Sequence, residues 1–338
     1  MKKILITGGA GFIGANTAAL YLKRGEKVTI FDNLSRPGVK HNLKWLEGTY
    51  SSRQLRIKVG DVCHFDAVRE VSRGQDVIFH LAGQTAVTTS IEDPRYDFET
   101  NALGTFNILE AVRLINPAAV ILYTSTNKVY GAMGRVNAAR RGKRYYSIES
   151  ANIDESEPLD FYSPYGCSKG TGDQYMLDYA RIYGLKTIVF RQSCIYGPHQ
   201  FGMEDQGWVA HFVSQAIKGE PVTIFGTGKQ VRDMLYIADL LAAFDGAVRR
   251  SRITAGQAYN IGGGVNNSMS LLELIDYVGE LTGRVMRVKF LAARSGDQKV
   301  FIANIAKARR DFGWRPKVHV KEGVKSLYFW LRDNTSTL

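Results

Sequence analysis

Tyr165 and Lys169 are the only tyrosine and lysine in the chain that stand four residues apart in that order. That spacing puts two side chains on one face of a helix. The pair opens a helical pattern one element after Thr124-Ser125-Thr126, which closes an apolar strand-like run. A strand-end hydroxyl there is well placed to share a substrate hydroxyl with the phenol. A tyrosine with an ordinary pKa of about 10 is a poor base at neutral pH. A lysine ammonium and a nicotinamide cation nearby favour the phenolate, which then accepts a carbinol proton while hydride leaves to the nicotinamide.

A second group of residues supplies a place for such a cofactor. Thr7-Gly8-Gly9-Ala10-Gly11-Phe12-Ile13-Gly14 follows the apolar run Ile4-Leu5-Ile6 and precedes an amphipathic stretch, so Gly8, Gly11 and Gly14 fall where a strand turns into a helix. The first glycine permits the tight turn, the second lets backbone approach a pyrophosphate, and the third lets helix and strand pack closely. A second apolar run, Val28-Thr29-Ile30-Phe31, ends in Asp32, at the distance where an acidic residue takes the ribose hydroxyls of NAD. Arg36 lies close enough to accept a 2′-phosphate instead. The carboxylate of Asp32 would repel that phosphate, which favours NAD.

The elements that must position these groups alternate. Strand-like runs fall at 4–7, 28–31, 55–59, 77–81, 119–124 and 186–191, with helical patterns at 13–24, 65–72, 101–114 and 164–183. Such alternation predicts an α/β fold built on a doubly wound parallel sheet, with ligands beyond the carboxyl ends of the strands. After Arg191 the pattern loosens into a Gly/Pro-containing passage from Gly197 to Gly207, a strand at 222–225, helices near 237–249 and 270–282, and the turn Gly262-Gly263-Gly264. This second, smaller α/β region is assigned to substrate and is expected to share the crevice of the first.

A length of 338 residues with 45% hydrophobic residues suits a large core and excludes a disordered chain. Cys63, Cys167 and Cys194 are odd in number and lack a CxxC pair, which points to buried reduced thiols in a cytosolic setting and against structural zinc or another metal site. The N-terminal apolar run is broken by glycines too early for a secretory or membrane segment. The net charge of +12 is dispersed, and its one dense cluster, Arg135, Arg140, Arg141, Lys143 and Arg144, reads as a solvated loop rather than a nucleic-acid arm. Positive charge also suits a diphosphate ligand.

TGGAGFIG, Asp32, Asp61-Val62, HLAG at 80–83, Thr124-Ser125-Thr126 and YxxxK together resemble the extended short-chain dehydrogenase/reductase family of nucleotide-sugar enzymes, across nearly the whole chain. More narrowly, FDNLSR (31–36), HLAGQTAVTTSI (80–91), STNKVYG (125–131), SPYGCSKG (163–170), DQYMLDYAR (173–181), DQGWV (205–209), GKQVRD (228–233) and NSMSLLEL (267–274) are similar to the family's CDP-hexose 2-epimerases. The resemblance implies a Rossmann NAD-binding domain over 1–190, with a strand and helix returning from about 231–265, and a mainly nucleotide-sugar-binding region over 191–338. It implies a retained NAD, a CDP-activated hexose oxidised at C2 and reduced again from the opposite face, and a homodimer or higher homo-oligomer formed through 101–114 and 164–183. No nucleic-acid or membrane partner is implied.

Position by position, the resemblance makes Tyr165 the base, Lys169 the group that lowers its pKa and holds the nicotinamide ribose, and Thr126 the hydrogen-bonding partner of the reacting hydroxyl. Gly8, Gly11, Phe12, Ile13 and Gly14 would hold pyrophosphate, and Asp32 and Asn33 the adenosine ribose. Ser35 and Arg36 would line the adenosine side, and Asp61 and Val62 would contact adenine. Leu81, Ala82, Gln84 and Thr124 would line the cofactor channel. On the substrate side, Arg232 and Arg294 would grip the diphosphate and Asp297 the nucleotide ribose, with Gln206, Trp208, Val209, Thr223, Phe225, Lys229 and Gln230 around nucleobase and phosphates. Gln84, Thr126, Asn127 and Lys128 would face the sugar. Relatives that eliminate water carry an acidic pair where this chain has Asn127 and Lys128, which argues against dehydration. Cys194 stands where 4-epimerase relatives carry an asparagine, so that contact does not transfer. Fold alone does not fix the carbon attacked, and C4-epimerisation of a UDP- or GDP-sugar, or an NAD-sensing protein without catalysis, are the alternatives; the intact trio speaks against the last.

Overall fold

The computed structural model describes residues 1–133, 136–147, 153–294 and 296–334; Arg135 of the basic cluster lies outside the described residues. Seven strands form the main sheet: β1 (Lys3–Thr7), β2 (Lys27–Asp32), β3 (Leu55–Val59), β4 (Val77–His80), β5 (Val120–Thr126), β6 (Lys186–Gln192) and β7 (Gln257–Ile261). Their order is β7-β6-β5-β4-β1-β2-β3 and every pairing is parallel. This is the doubly wound α/β arrangement that the strand and helix alternation predicts.

The central strands are apolar throughout because helices cover both faces. Ile4, Leu5 and Ile6 of β1 have no exposed surface, and all seven residues of β5 are buried. On one face, Ile4, Ile6 and Phe79 meet Ala15 and Leu22 of the helix Phe12–Lys23 and Leu240 and Phe244 of the helix Ile237–Arg249. On the other, Leu5, Ile78 and Tyr123 meet Val68, Ile108, Leu109 and Met176 from the helices Phe65–Ser72, Gly104–Ile115 and Pro164–Tyr183. Each fully buried aliphatic side chain stabilises such a core by about 1.5–3 kcal/mol.

The helix Pro164–Tyr183 starts where its sequence tells it to: Ser163 accepts a hydrogen bond from the Gly166 amide, Pro164 occupies the first turn, and Gly184 ends it with φ 68°. The predicted helix at 101–114 is a π-helical turn, Glu99–Leu103, followed by Gly104–Ile115.

Beyond β6 a second core gathers the helices Trp208–Lys218, Leu271–Thr282 and Val320–Asp333 around Val222, Ile224 and Met234. The strand Val231–Tyr236 pairs there with Ser268–Ser270, Val300–Phe301 and Cys194–Tyr196, while Gln257–Ile261 returns to the main sheet as β7.

Two sequence expectations are corrected. The basic stretch expected as a solvated loop is an antiparallel hairpin, Ala138–Arg141 with Arg144–Ser147, turning at Gly142 with φ 55°. Two of its charges have partners: Lys143 Nζ lies 2.6 Å from Asp276 Oδ2, and Arg144 Nη2 donates to Ser268 Oγ at 2.7 Å. Cys167, expected to be buried, is exposed, because its helix turns that face outward. Among the described residues no helix is long and apolar enough to cross a membrane.

Candidate active site

The carboxyl ends of β1, β2, β4, β5 and β6 open onto one crevice of about 730 Å³, closed on its far side by the second region. Its first wall is the glycine turn. Gly8 has φ 66°, and a Cβ there would stand 2.7 Å from the Ala82 amide nitrogen, so a side chain is excluded on two counts. Gly11 caps the helix Phe12–Lys23 without any side-chain hydrogen bond. The first-turn amides of Phe12, Ile13 and Gly14 therefore have no side-chain cap, and all three residues line the crevice.

Asp32 ends β2 with its carboxylate fixed from behind: Oδ2 accepts from the Ala10 amide at 3.0 Å and Oδ1 from Leu34 at 2.8 Å. Beside it, Asn33 Nδ2 donates to Asp61 Oδ2 at 2.8 Å, and Asp61 Oδ1 accepts from the Cys63 amide at 2.9 Å. Asp61, Val62, Ser35, Leu81, Ala82 and Thr124 line the same stretch. Gln84 lines it too, with its amide satisfied inside its own loop by the Ala86 carbonyl and amide. The uncapped helix end, the turn that excludes a Cβ and the crevice-lining carboxylate of Asp32 fit a dinucleotide.

Arg36 does not face the adenosine side as expected. Its guanidinium reaches Thr85 Oγ1 and Gln206 Oε1.

At the centre lie Thr126, Tyr165 and Lys169, 7%, 8% and 4% exposed. The Thr126 hydroxyl accepts from the Lys128 amide at 3.2 Å and donates to Asn127 Oδ1 at 3.4 Å. Lys169 Nζ sits 4.2 Å from the centroid of the Tyr123 ring. Burial raises the Tyr165 phenol to about 12, offset in part by Thr126 and by the Arg36 charge, while Asp97 adds to the rise. Burial lowers Lys169 to about 7 against the pull of Asp97 and Asp173.

The far end is a knot of charge around Asp297. Arg232 Nη2 donates to Asp297 Oδ1 at 2.6 Å, Gln230 Nε2 to Oδ2 at 3.3 Å, and Lys128 Nζ lies 3.8 Å from Oδ1. Burial pushes this carboxyl up, but Arg232, Lys128, Gln230 and Arg294 outweigh it and hold it below the usual range. Arg294 stacks 3.9 Å over Phe225 and donates to Asp205 at 2.9 Å. Asn127 Nδ2 donates to Gln298 at 3.0 Å. Gln206, Trp208 and Thr223 complete this wall.

Two expected residues lie elsewhere. Val209 is 1% exposed inside the second core, one position past Trp208 and so turned inward by the helix. Lys229 is not among the lining residues; its carbonyl accepts from the Tyr145 amide of the hairpin at 2.8 Å.

The crevice also holds residues to which the sequence reading assigned no role in the site. Gln192 stands opposite Thr126 in the β5–β6 register, and its Nε2, like Ser125 Oγ, is buried with no hydrogen-bond partner. Their signal was available, since both close strands of the catalytic edge. Cys194 lines the crevice with its thiol pushed up to about 12 by burial. No group of three or more potential metal ligands occurs among the described residues.

Comparison with known proteins agrees with this architecture. The family described as GDP-mannose 4,6 dehydratase matches residues 5–327. The chain is 46% identical over 336 residues to CDP-paratose 2-epimerase of Salmonella typhi, covering 97% of this chain and 98% of that protein. It is 31% identical to a putative UDP-glucose 4-epimerase of Methanocaldococcus jannaschii, covering 99% and 100%. UDP-glucuronic acid 4-epimerase from Bacillus cereus, solved with UDP-glucuronic acid and NAD, superposes with a TM-score of 0.85 at 28% identity, covering 98% and 99%.

Proposed function

The chain belongs to the GDP-mannose 4,6-dehydratase family of extended short-chain dehydrogenase/reductases, and from that premise we propose that it is an NAD-dependent epimerase acting at C2 of a CDP-hexose. The observation that carries this reading is the Thr126, Tyr165 and Lys169 trio standing between a dinucleotide turn and the cationic end around Asp297, in a chain 46% identical to a CDP-paratose 2-epimerase.

Gly8, Gly11 and the amides of Phe12, Ile13 and Gly14 hold the pyrophosphate of NAD, and Asp32 and Asn33 its adenosine ribose. Bound NAD supplies a hydride acceptor for the sugar carbon and returns the same hydride. Tyr165 takes the proton of the C2 hydroxyl as the C2–H bond breaks, and Thr126 holds that oxygen in line. The resulting 2-keto sugar turns over in the crevice. Tyr165 then gives the proton back as hydride reaches the opposite face, so no net redox change remains. Arg232 and Arg294 pair with the diphosphate as planar forks.

Water elimination has no support at Asn127 and Lys128, whose side chains are engaged by Gln298 and Asp297. In this reading residues 1–190 with β7 form the cofactor half, and most of 191–338 the sugar-nucleotide half. A second copy covers the helices Gly104–Ile115 and Pro164–Tyr183, whose Phe106, Tyr175 and Ile182 are 37%, 43% and 62% exposed. Three free cysteines suit a reducing, cytoplasmic setting.

A second reading, C4-epimerisation of a UDP-sugar, is favoured by the two 4-epimerase relatives. Incubation with CDP-paratose, CDP-glucose and UDP-glucose separately, with the product sugars identified by NMR, decides between them. The expected result is a C2-inverted CDP-sugar without accumulated NADH. A C4 product from UDP-glucose alone overturns the C2 reading.

A further inference from the structure

Both arginines at the cationic end of the crevice are paired with carboxylates of this chain, and the two carboxylates are held differently. Arg232 Nη2 donates to Asp297 Oδ1 at 2.6 Å, between side chains 12% and 29% exposed. Asp297 also accepts from Gln230 Nε2 at 3.3 Å and has Lys128 Nζ at 3.8 Å, so it stays in place when one partner turns away. Arg294 Nη2 donates to Asp205 Oδ1 at 2.9 Å, between side chains 34% and 43% exposed. Among the described residues Asp205 is hydrogen-bonded or ion-paired to Arg294 alone.

Asp205 sits at the tip of a self-contained turn. The Met203 amide donates to the Gln206 carbonyl at 2.8 Å and the Gln206 amide to the Met203 carbonyl at 3.1 Å, which leaves Glu204 and Asp205 exposed between them. Gly207, with φ 76°, then leads into the helix Trp208–Lys218. The turn keeps its shape whether or not Asp205 lies on Arg294. The guanidinium keeps its own orientation too, because its central carbon stacks 3.9 Å from the Phe225 ring centroid. The charges also favour an exchange. Lys128, Arg232 and Arg294 line this end together with Asp297 and Asp205. With Asp205 in place a carboxylate stands where phosphoryl oxygens approach and repels them. With Asp205 withdrawn, three cations face one carboxylate, and the excess matches the two negative charges of a sugar-nucleotide diphosphate.

We propose that Asp205 is an internal competitor of the diphosphate: it holds Arg294 between turnovers, yields it when the nucleotide enters and takes it back as product leaves. The contact thereby weakens binding and speeds release by the same factor. This rests on the reading of Arg294 as a diphosphate ligand. The step is an exchange of anions on one guanidinium, with no bond made or broken. A half-exposed ion pair suits it, since such pairs contribute little and a charged ligand displaces them readily.

The test is calorimetric titration of the full chain with CDP and with UDP, beside stopped-flow dissociation of each, in the unaltered protein, Asp205→Asn, Arg294→Met and the double variant. Asp205→Asn should bind CDP about two- to fivefold more tightly and release it more slowly by a similar factor. Arg294→Met should bind about tenfold more weakly, the worth of one charge-assisted hydrogen bond. In the double variant the gain from Asp205→Asn should vanish, because it acts through that arginine. Glu204→Gln removes the same charge from the same turn but leaves the ion pair whole, and should change the affinity less than Asp205→Asn does. Unchanged or weaker CDP binding in Asp205→Asn, a gain that survives in the double variant, or an equal gain in Glu204→Gln overturns the exchange alone. Unaltered binding of both nucleotides in Arg294→Met removes that arginine from the diphosphate site, and the exchange with it. A preference for UDP with the coupling intact upholds the exchange and refutes the CDP reading.

Discussion

Gly11 and Gly14 sit three residues apart in one turn, yet replacing each with alanine should damage different properties. A Cβ on Gly14 would stand 2.2 Å from the Gly8 carbonyl oxygen and 2.6 Å from Gly9 Cα, backbone atoms that no rotamer change can move aside. At Gly11, with φ −68°, the nearest atom is the same oxygen at 3.2 Å. Gly14→Ala must therefore push strand and helix apart, an overpacking that costs about 1–3 kcal/mol of stability and lowers the melting temperature by a few degrees. Gly11→Ala costs the fold at most about 1 kcal/mol, the usual difference between glycine and alanine at a helix cap. In the proposed binding mode its methyl group instead stands where the pyrophosphate would meet the first-turn amides. Hydrogen bonds from backbone amides to a charged group contribute about 1.5–3 kcal/mol each, and 1.4 kcal/mol is tenfold in affinity, so losing even one weakens NAD binding at least about tenfold. Calorimetric titration of nucleotide-stripped protein with NAD, beside a thermal melt, reads both quantities. The expected pattern is a native melt with weak binding for Gly11→Ala and a lowered melt for Gly14→Ala. Native NAD affinity in Gly11→Ala refutes the placement of the pyrophosphate, and a native melt in Gly14→Ala refutes the packing reasoning.

Arg232 is 12% exposed at its side chain and donates to Asp297 at 2.6 Å; Arg232→Met should raise KM for the sugar nucleotide about 10- to 100-fold, the worth of one or two charge-assisted hydrogen bonds, with kcat little changed, and steady-state kinetics with an unaltered KM would remove it from the diphosphate site. His199, stacked 3.7 Å from Trp45, is held neutral by burial with its pKa lowered to about 4, against about 6.5 unfolded. A depressed imidazole stabilises the fold fully above pH 6.5, and that stabilisation is lost as pH falls through 4. His199→Asn, which tolerates the local φ of 66°, should flatten the decline of the urea midpoint between pH 6.5 and 4; an equally steep decline in the variant shows that His199 is not its source.

The parallel sheet is legible in the sequence because its strands are buried on both faces, which leaves uninterrupted runs such as Ile4-Leu5-Ile6 and Val120 to Tyr123. The glycine turn and the Tyr165/Lys169 pair are legible because their chemistry depends on spacing along one turn of backbone. What escapes a linear reading is set by separation in sequence. Asp97 reaches Ser168 across 71 positions and Arg36 reaches Gln206 across 170, and no local pattern records either meeting. Val209 fails for a subtler reason: it neighbours a lining tryptophan, but one step around a helix turns a side chain by about 100° and carries it into the core. The hairpin at 138–147 hides because its basic residues suggest solvent, while acidic residues of Leu271–Thr282, far along the chain, give them partners.

The last strand of the sheet comes from beyond much of the second region, and this orders events during synthesis. When the ribosome has released β6, that strand has a neighbour on one side only, and its other edge stays open until Gln257–Ile261 follows. Ile188, Val189 and Phe190, which have no exposed surface in the finished fold, are until then an edge able to pair with another nascent chain. Destabilising changes between Cys194 and Gly256 should therefore lower the yield of soluble enzyme, with the molecules that do fold behaving normally toward the dinucleotide.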